Sequence, residues 1–220
     1  GRFYNSTKYA DKEVNVTFTV SRVDPTINVR INDTTYPDKA VAEITISDNA
    51  NGTVNITVDG KQFNANVVNG KSIVNLTGLS GGAKVAEVRF ITNDNYKNNA
   101  TVNATFTVNR AISNINITQD GTTVIANVTA GATGNVTFIV NGVEKVVPIN
   151  NNGQAIWENA LRIGNNTVVA IYDGDVNYTS SRNNTNFTVA KATSKVNVTV
   201  NETVYNNNII IEVNVPLNQR

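Results

Sequence analysis

The chain has 220 residues, a formal net charge of +1, and no Cys, His or Met. That balance removes the electrostatic case for nucleic acid or an anionic membrane, since both need a concentrated basic face. This residue set cannot build a thiol nucleophile, a disulfide, an imidazole zinc site or a Ser-His-Asp relay, so we read the chain as no enzyme, with no cofactor.

Residues 1–21 read as the end of one strand and the whole of the next, the last two strands of a preceding unit. Strands are then expected near 26–32, 41–47, 53–59, 61–68, 71–77, 84–92 and 99–108, and again near 113–119, 122–130, 134–141, 143–149, 154–161, 166–173 and 183–190. Residues 192–220 hold only the first two strands of a following unit. "VNG" at 140–142 and "NNNG" at 150–153 read as hairpin turns, because Asn-Gly supplies the positive φ of tight turns. In Asn135 to Phe138, Val136 and Phe138 share one face, and Asn135 and Thr137 share the other. No stretch shows a 3.6-residue period, so no helix longer than one turn is expected.

Composition agrees with strands throughout. There are 39 Asn, 27 Thr and 32 Val against 4 Leu. β-Branched residues pack well on a pleated surface, and Asn tolerates the left-handed backbone of turns. No apolar run approaches the roughly 20 residues that span a bilayer, and there is no signal peptide. Residue 1 therefore reads as the start of a cut or processed chain, with no direct membrane insertion in this segment.

The chain repeats. "RFYNSTKYADKEVNVTFTV" from Arg2, "RFITNDNYKNNATVNATFTV" from Arg89 and "AIYDGDVNYTSSRNNTNFTV" from Ala170 share a framework. Each has an aromatic (Phe3, Phe90, Tyr172) and a tyrosine six positions on (Tyr9, Tyr96, Tyr178). A phenylalanine in a Thr/Val strand follows (Phe18, Phe106, Phe187), and a closing basic residue ends the stretch (Arg22, Arg110, Lys191). "GTVNITVDG" from Gly52 matches "GNVTFIVNG" from Gly134 at the same offset of 82 residues that separates Tyr96 from Tyr178. A period of roughly 80 to 88 residues is a β domain, not a solenoid rung of about 20 to 50. The units are then a preceding fragment at 1–21, repeats at 22–109 and 110–191, and a following fragment at 192–220. The linkers at 21–26, 109–113 and 190–194 are short and not Gly/Ser-rich. They point to all-β, Ig-like sandwiches set end to end in an elongated rod, roughly 70–80 Å for two units.

The repeat also judges the acids in "YDGDVNY". Asp173 falls opposite Ile91 and Tyr4, and Asp175 opposite Asn93 and Ser6. The acids are not repeated but the tyrosine is. Tyr9, Tyr96 and Tyr178 are therefore read as structural tyrosines of a strand-to-strand loop. The rival reading, a calcium site at Asp173 and Asp175, lacks the six or more oxygens that Ca²⁺ prefers.

The tyrosine loop "YDGDVNY", the "GNVTFIVNG" hairpin and the Asn/Thr-rich strands resemble the bacterial Ig-like repeats of large surface proteins. They are most similar to the repeats of adhesin-like proteins of gut methanogenic archaea. The resemblance covers essentially the whole chain. It implies an extracellular array at the cell surface, and it carries no catalytic residue. On this reading the segment is a rigid stalk and adhesion scaffold. Its partners are other repeats or neighbouring subunits, and host or microbial surface glycans or proteins. The alternatives are a filament or sheath subunit that assembles through strand edges, and a carbohydrate-binding module. The end fragments together are shorter than one unit, which favours a slice of a longer array over a closed subunit.

Three further features stand out. Roughly 17 Asn-x-Ser/Thr sequons occur. Alternating Asn and Thr on a solvent face write that motif automatically, so the turn and loop positions Asn51, Asn165 and Asn177 are the glycosylation candidates. The one tryptophan, Trp157, aligns with Asn75 in "SIVNLTG" and is expected to face outward as a ligand platform. Lys145 in "VEKVVP" is the one position at which a buried Lys–Asn cross-link would be sought.

Overall fold

Val54, Ile56 and Val58 are fully buried, and the Thr and Asn residues between them turn the other way. That two-residue period is the signature of a strand with one face on a core, and it organises almost every element of the computed structural model. The structure describes residues 1–4, 6–92, 95–200, 202, 204–207 and 210–214; parts of the expected terminal fragment 192–220 therefore lie outside the described residues. Among the described residues there are only strands and turns, with no helix long and apolar enough to cross a membrane.

A short hairpin, β1 (Arg2–Phe3) and β2 (Lys12–Glu13), opens the chain and is joined by an Arg2–Glu13 ion pair at 3.0 Å. The first sandwich follows with β3 (Ile27–Ile31), β4 (Thr34–Thr35), β5 (Ala40–Ile46), β6 (Gly52–Val58), β7 (Lys61–Val67), β8 (Lys71–Leu76), β9 (Gly82–Ile91) and β10 (Ala100–Asn109). One sheet runs β3-β5-β8 and the other β4-β10-β9-β6-β7. Ala42, Ile44 and Leu76 of the first sheet meet Val54, Ile56, Val88 and Phe90 of the second in one apolar core.

The second sandwich holds β11 (Ile115–Asp120), β12 (Thr123–Val128), β13 (Asn135–Val140), β14 (Val143–Pro148), β15 (Gln154–Trp157), β16 (Gly164–Tyr172) and β17 (Ser181–Val189). Its sheets run β11-β12-β15 and β14-β13-β16-β17. Val124 and Ala126 in one sheet, and Val136, Phe138, Ala170 and Tyr172 in the other, are at most 1% exposed. A last hairpin joins β18 (Asn197–Val200) to β19 (Ile211–Asn214). By contacts the chain divides into Gly1–Ala111 with Val176–Tyr178, and Ile112–Asp175 with Thr179–Arg220.

The structure adds to and corrects the sequence reading in three places. β4 was not foreseen: Thr34 and Thr35 pair in parallel with Val108 and Asn109, and two residues are too few to show a period. β15 stops at Trp157, not near 161, where Asn159 takes a φ of 53°. The turn at 150–153 is no hairpin, because β14 pairs with β13 and β15 with β12. It carries the chain from one sheet to the other. "VNG" at 140–142 does close a hairpin, with Asn141 and Gly142 both at positive φ.

Candidate functional site

The loop after β16 begins in the core and ends on its own neighbours. Tyr172 is 1% exposed. Asp173 stands exposed, whereas Asp175 is half-buried. Asp175 Oδ2 accepts hydrogen bonds from Thr133 N at 2.9 Å and Thr133 Oγ1 at 2.8 Å. The carboxylate thus ties its loop to the turn before β13. Asn93, which the repeat sets opposite Asp175, lies outside the described residues. Among the described residues, no group of three or more His, Cys, Asp or Glu could hold a metal ion.

Two of the three loop tyrosines, Tyr96 and Tyr178, take matching places. Tyr96 forms a parallel bridge with Val23, and Tyr178 one with Ala111. Val23 N donates to Asn95 O at 3.2 Å, and Ala111 N to Asn177 O at 2.8 Å. Tyr96 packs on the first core, and its hydroxyl donates to Asp48 O at 2.9 Å. Tyr178 is buried, while Tyr9 is 72% exposed beside the β1–β2 hairpin.

Trp157 faces inward, against the outward expectation. It shares a face of β15 with the fully buried Ala155, and its ring lies 6.2 Å from that of Phe138 in the opposite sheet. The cause is one residue of register. Gly70 O accepts from Ile46 N, and Gly153 O accepts from Val128 N, so these glycines are equivalent. Gly70 lies three residues after Val67, but Gly153 lies four after its counterpart Ile149. That extra residue pairs Trp157 with Val74 instead of Asn75, and a shift of one swaps the faces of a strand. One face of the half-buried ring carries Lys145, whose Nζ is 5.4 Å from the ring centroid. Lys145 is itself exposed, not buried as a cross-linking lysine would be.

The buried lysine is Lys84, which sequence reasoning missed. It is 6% exposed, and its Nζ lies 2.6 Å from Asp59 Oδ2 and 3.2 Å from Ser80 Oγ. The equivalent positions in the second sandwich are Asn166 and Asn141, where Asn141 Nδ2 donates to Asn166 Oδ1 at 2.8 Å. Asn166 is 1% exposed; its Oδ1 also accepts from Arg162 N, and its Nδ2 donates to Arg162 O and Gly164 O. In both sandwiches a polar pair fastens a two-residue turn, Asp59–Gly60 or Asn141–Gly142, to a later core strand of the same sheet, β9 or β16. The signal was present in "AKVAEVRF", where Lys84 has the parity of Ala86, Val88 and Phe90.

Of the glycosylation candidates, Asn51 and Asn165 are exposed and Asn177 is half-buried. Asn51 Nδ2, the atom a glycan would occupy, donates to Asn49 O at 2.9 Å. Asn165 Oδ1 accepts from Thr188 Oγ1 at 2.8 Å.

No curated protein matches the chain. A two-domain fibronectin type-III segment of chicken tenascin is 10% identical, covers 75% of this chain and 99% of its own, and gives a TM-score of 0.45. Fibronectin(III)-like modules of Clostridium thermocellum CbhA are 12% identical, with coverages of 75% and 94% and a TM-score of 0.30. A 1.5-MDa bacterial ice-binding adhesin is 16% identical, with coverages of 82% and 70% and a TM-score of 0.33. Residues 112–190 match the bacterial Ig-like domain (group 3) family. The matched residues span all the strands of the second sandwich.

Proposed function

We propose that the chain is a non-enzymatic, extracellular repeat segment of an adhesin-like cell-surface protein. Its units at 22–109 and 110–191 serve as stiff spacers and as a scaffold for adhesion. The observation that carries this reading is the repetition itself. Two sandwiches share one framework, down to a polar pair at the same turn (Lys84–Asp59 and Asn166–Asn141), and the second matches the bacterial Ig-like family. The loop acid Asp175 and the loop tyrosine Tyr96 are spent on holding loops. Repeated modules of this kind supply reach and copy number, and weak contacts then add through avidity.

Pulling single molecules from both ends tests the mechanical part. Two unfolding events are expected, each releasing about 27 nm of chain for roughly 80 residues at full extension. One event, or a featureless extension at low force, would remove the stalk. Trp157 is turned inward beside Phe138, and this favours the scaffold over a tryptophan-based sugar platform.

A further inference from the structure

The outer faces of the two larger sheets differ in kind. In the second sandwich the cross-strand register sets two rows across β14, β13, β16 and β17. One reads Val146, Thr137, Ile171, Arg182, and the other Glu144, Ile139, Val169, Asn184. The same eight positions in the first sandwich read Asn64, Asn55, Arg89, Thr101 and Gln62, Thr57, Glu87, Asn103. At these eight positions one framework therefore carries only polar side chains in one unit and four adjoining aliphatic side chains in the other. The fold does not demand the aliphatics, since the first sandwich is built without them. Val146 is 56% exposed, and Ile139, Val169 and Ile171 are half-buried.

The charges around this patch have a definite arrangement. Glu144 and Arg182 are both exposed and occupy diagonally opposite corners, one on each outer strand of the sheet. A two-fold axis lying in the plane of the patch can bring Glu144 of each copy to Arg182 of the other, while the aliphatics stack between them.

We propose that this face docks a second copy of itself. Four aliphatic side chains and a polar rim cover less than the ~800 Å² per partner of a standard interface. The contact is therefore weak in dilute solution and becomes effective where copies are crowded together, as on a surface. The proposal concerns the partner of the second sandwich and stands whether or not the segment is a stalk.

Sedimentation equilibrium of the 220-residue chain, up to concentrations near 1 mM, is the test. A weak, concentration-dependent dimer is expected. The double substitution Val169→Glu with Ile171→Arg writes in the residues of the first sandwich, Glu87 and Arg89, so the fold has a precedent for it. It should abolish the dimer while leaving the thermal unfolding profile in place. Glu144→Arg alone, or Arg182→Glu alone, should weaken association roughly tenfold, and the two combined should restore it. The charge swap separates this contact from any association through the exposed terminal hairpins. A chain monomeric throughout, a dimer indifferent to the double substitution, or a charge swap that restores nothing would overturn the proposal. The last outcome would point to an unlike partner, protein or glycan, on the same patch.

Discussion

Ser72 Oγ is buried between the sheets and has no hydrogen-bond partner among the described residues. Its counterpart in the second sandwich is Ala155, fully buried. An unsatisfied buried hydroxyl costs about 1–3 kcal/mol, so Ser72→Ala should raise the stability of the first sandwich by about 1 kcal/mol in denaturant unfolding. Lys84 gives the opposite case. Asp59→Ala leaves a buried ammonium without its carboxylate. Because Asp59 is 49% exposed, solvent tempers the loss, and a cost of about 2 kcal/mol is expected rather than the 3–5 of a fully buried pair. Replacing both, Lys84→Asn with Asp59→Asn, installs the pair of the second sandwich and should recover most of that loss. A double-mutant cycle checks it. Trp157→Ala should cost about 3 kcal/mol because the ring packs on Phe138; an outward ring would cost little.

At the scale of elements, the turn that crosses between sheets holds the register. Gly70 has a φ of 73°, and a Cβ there would sit 2.5 Å from Ile46 O and 2.9 Å from Ser47 O. At Gly153, with φ 75°, the nearest atom would be Val128 O at 3.3 Å. Alanine should therefore cost about 3 kcal/mol or more at Gly70 and nearer 1 kcal/mol at Gly153, read from the shift in each unfolding midpoint. This turn also marks the limit of what the sequence discloses. Alternating Val, Ile and Thr placed the long strands within a few residues, because a buried face writes a period of two. The side of the chain on which Trp157 emerges depended on the count of residues in one turn, and aligning strands alone carries no such count. β4 stayed hidden because a two-residue parallel pair leaves no pattern. The site was legible in part: the loop tyrosines recur in the sequence, whereas the Asp175–Thr133 contact joins residues that no local motif links.

For the whole molecule, two cores predict two transitions. Each sandwich buries its own aliphatics, so a thermal or denaturant profile should resolve into two steps, with Ser72→Ala moving only one of them. The two steps should also differ in how fast they are retraced on refolding. β11 and β12 are joined by Gly121 and Thr122 alone. In the first sandwich the matching connection runs from Ile31 to Ala40 and contributes β4, whose partners Val108 and Asn109 come last in that unit. Contacts of that sequence separation must pay their closure entropy before they are rewarded. During synthesis the first sandwich therefore stays open at one edge until residue 109 has left the ribosome. The second also waits for its last strand, β17, but can close its opening hairpin as soon as Val128 appears. The earlier unit, with the longer opening connection, is expected to be the slower folder, and its last strand emerges just before a neighbour of the same pattern follows. This is the window in which like strands can pair across units.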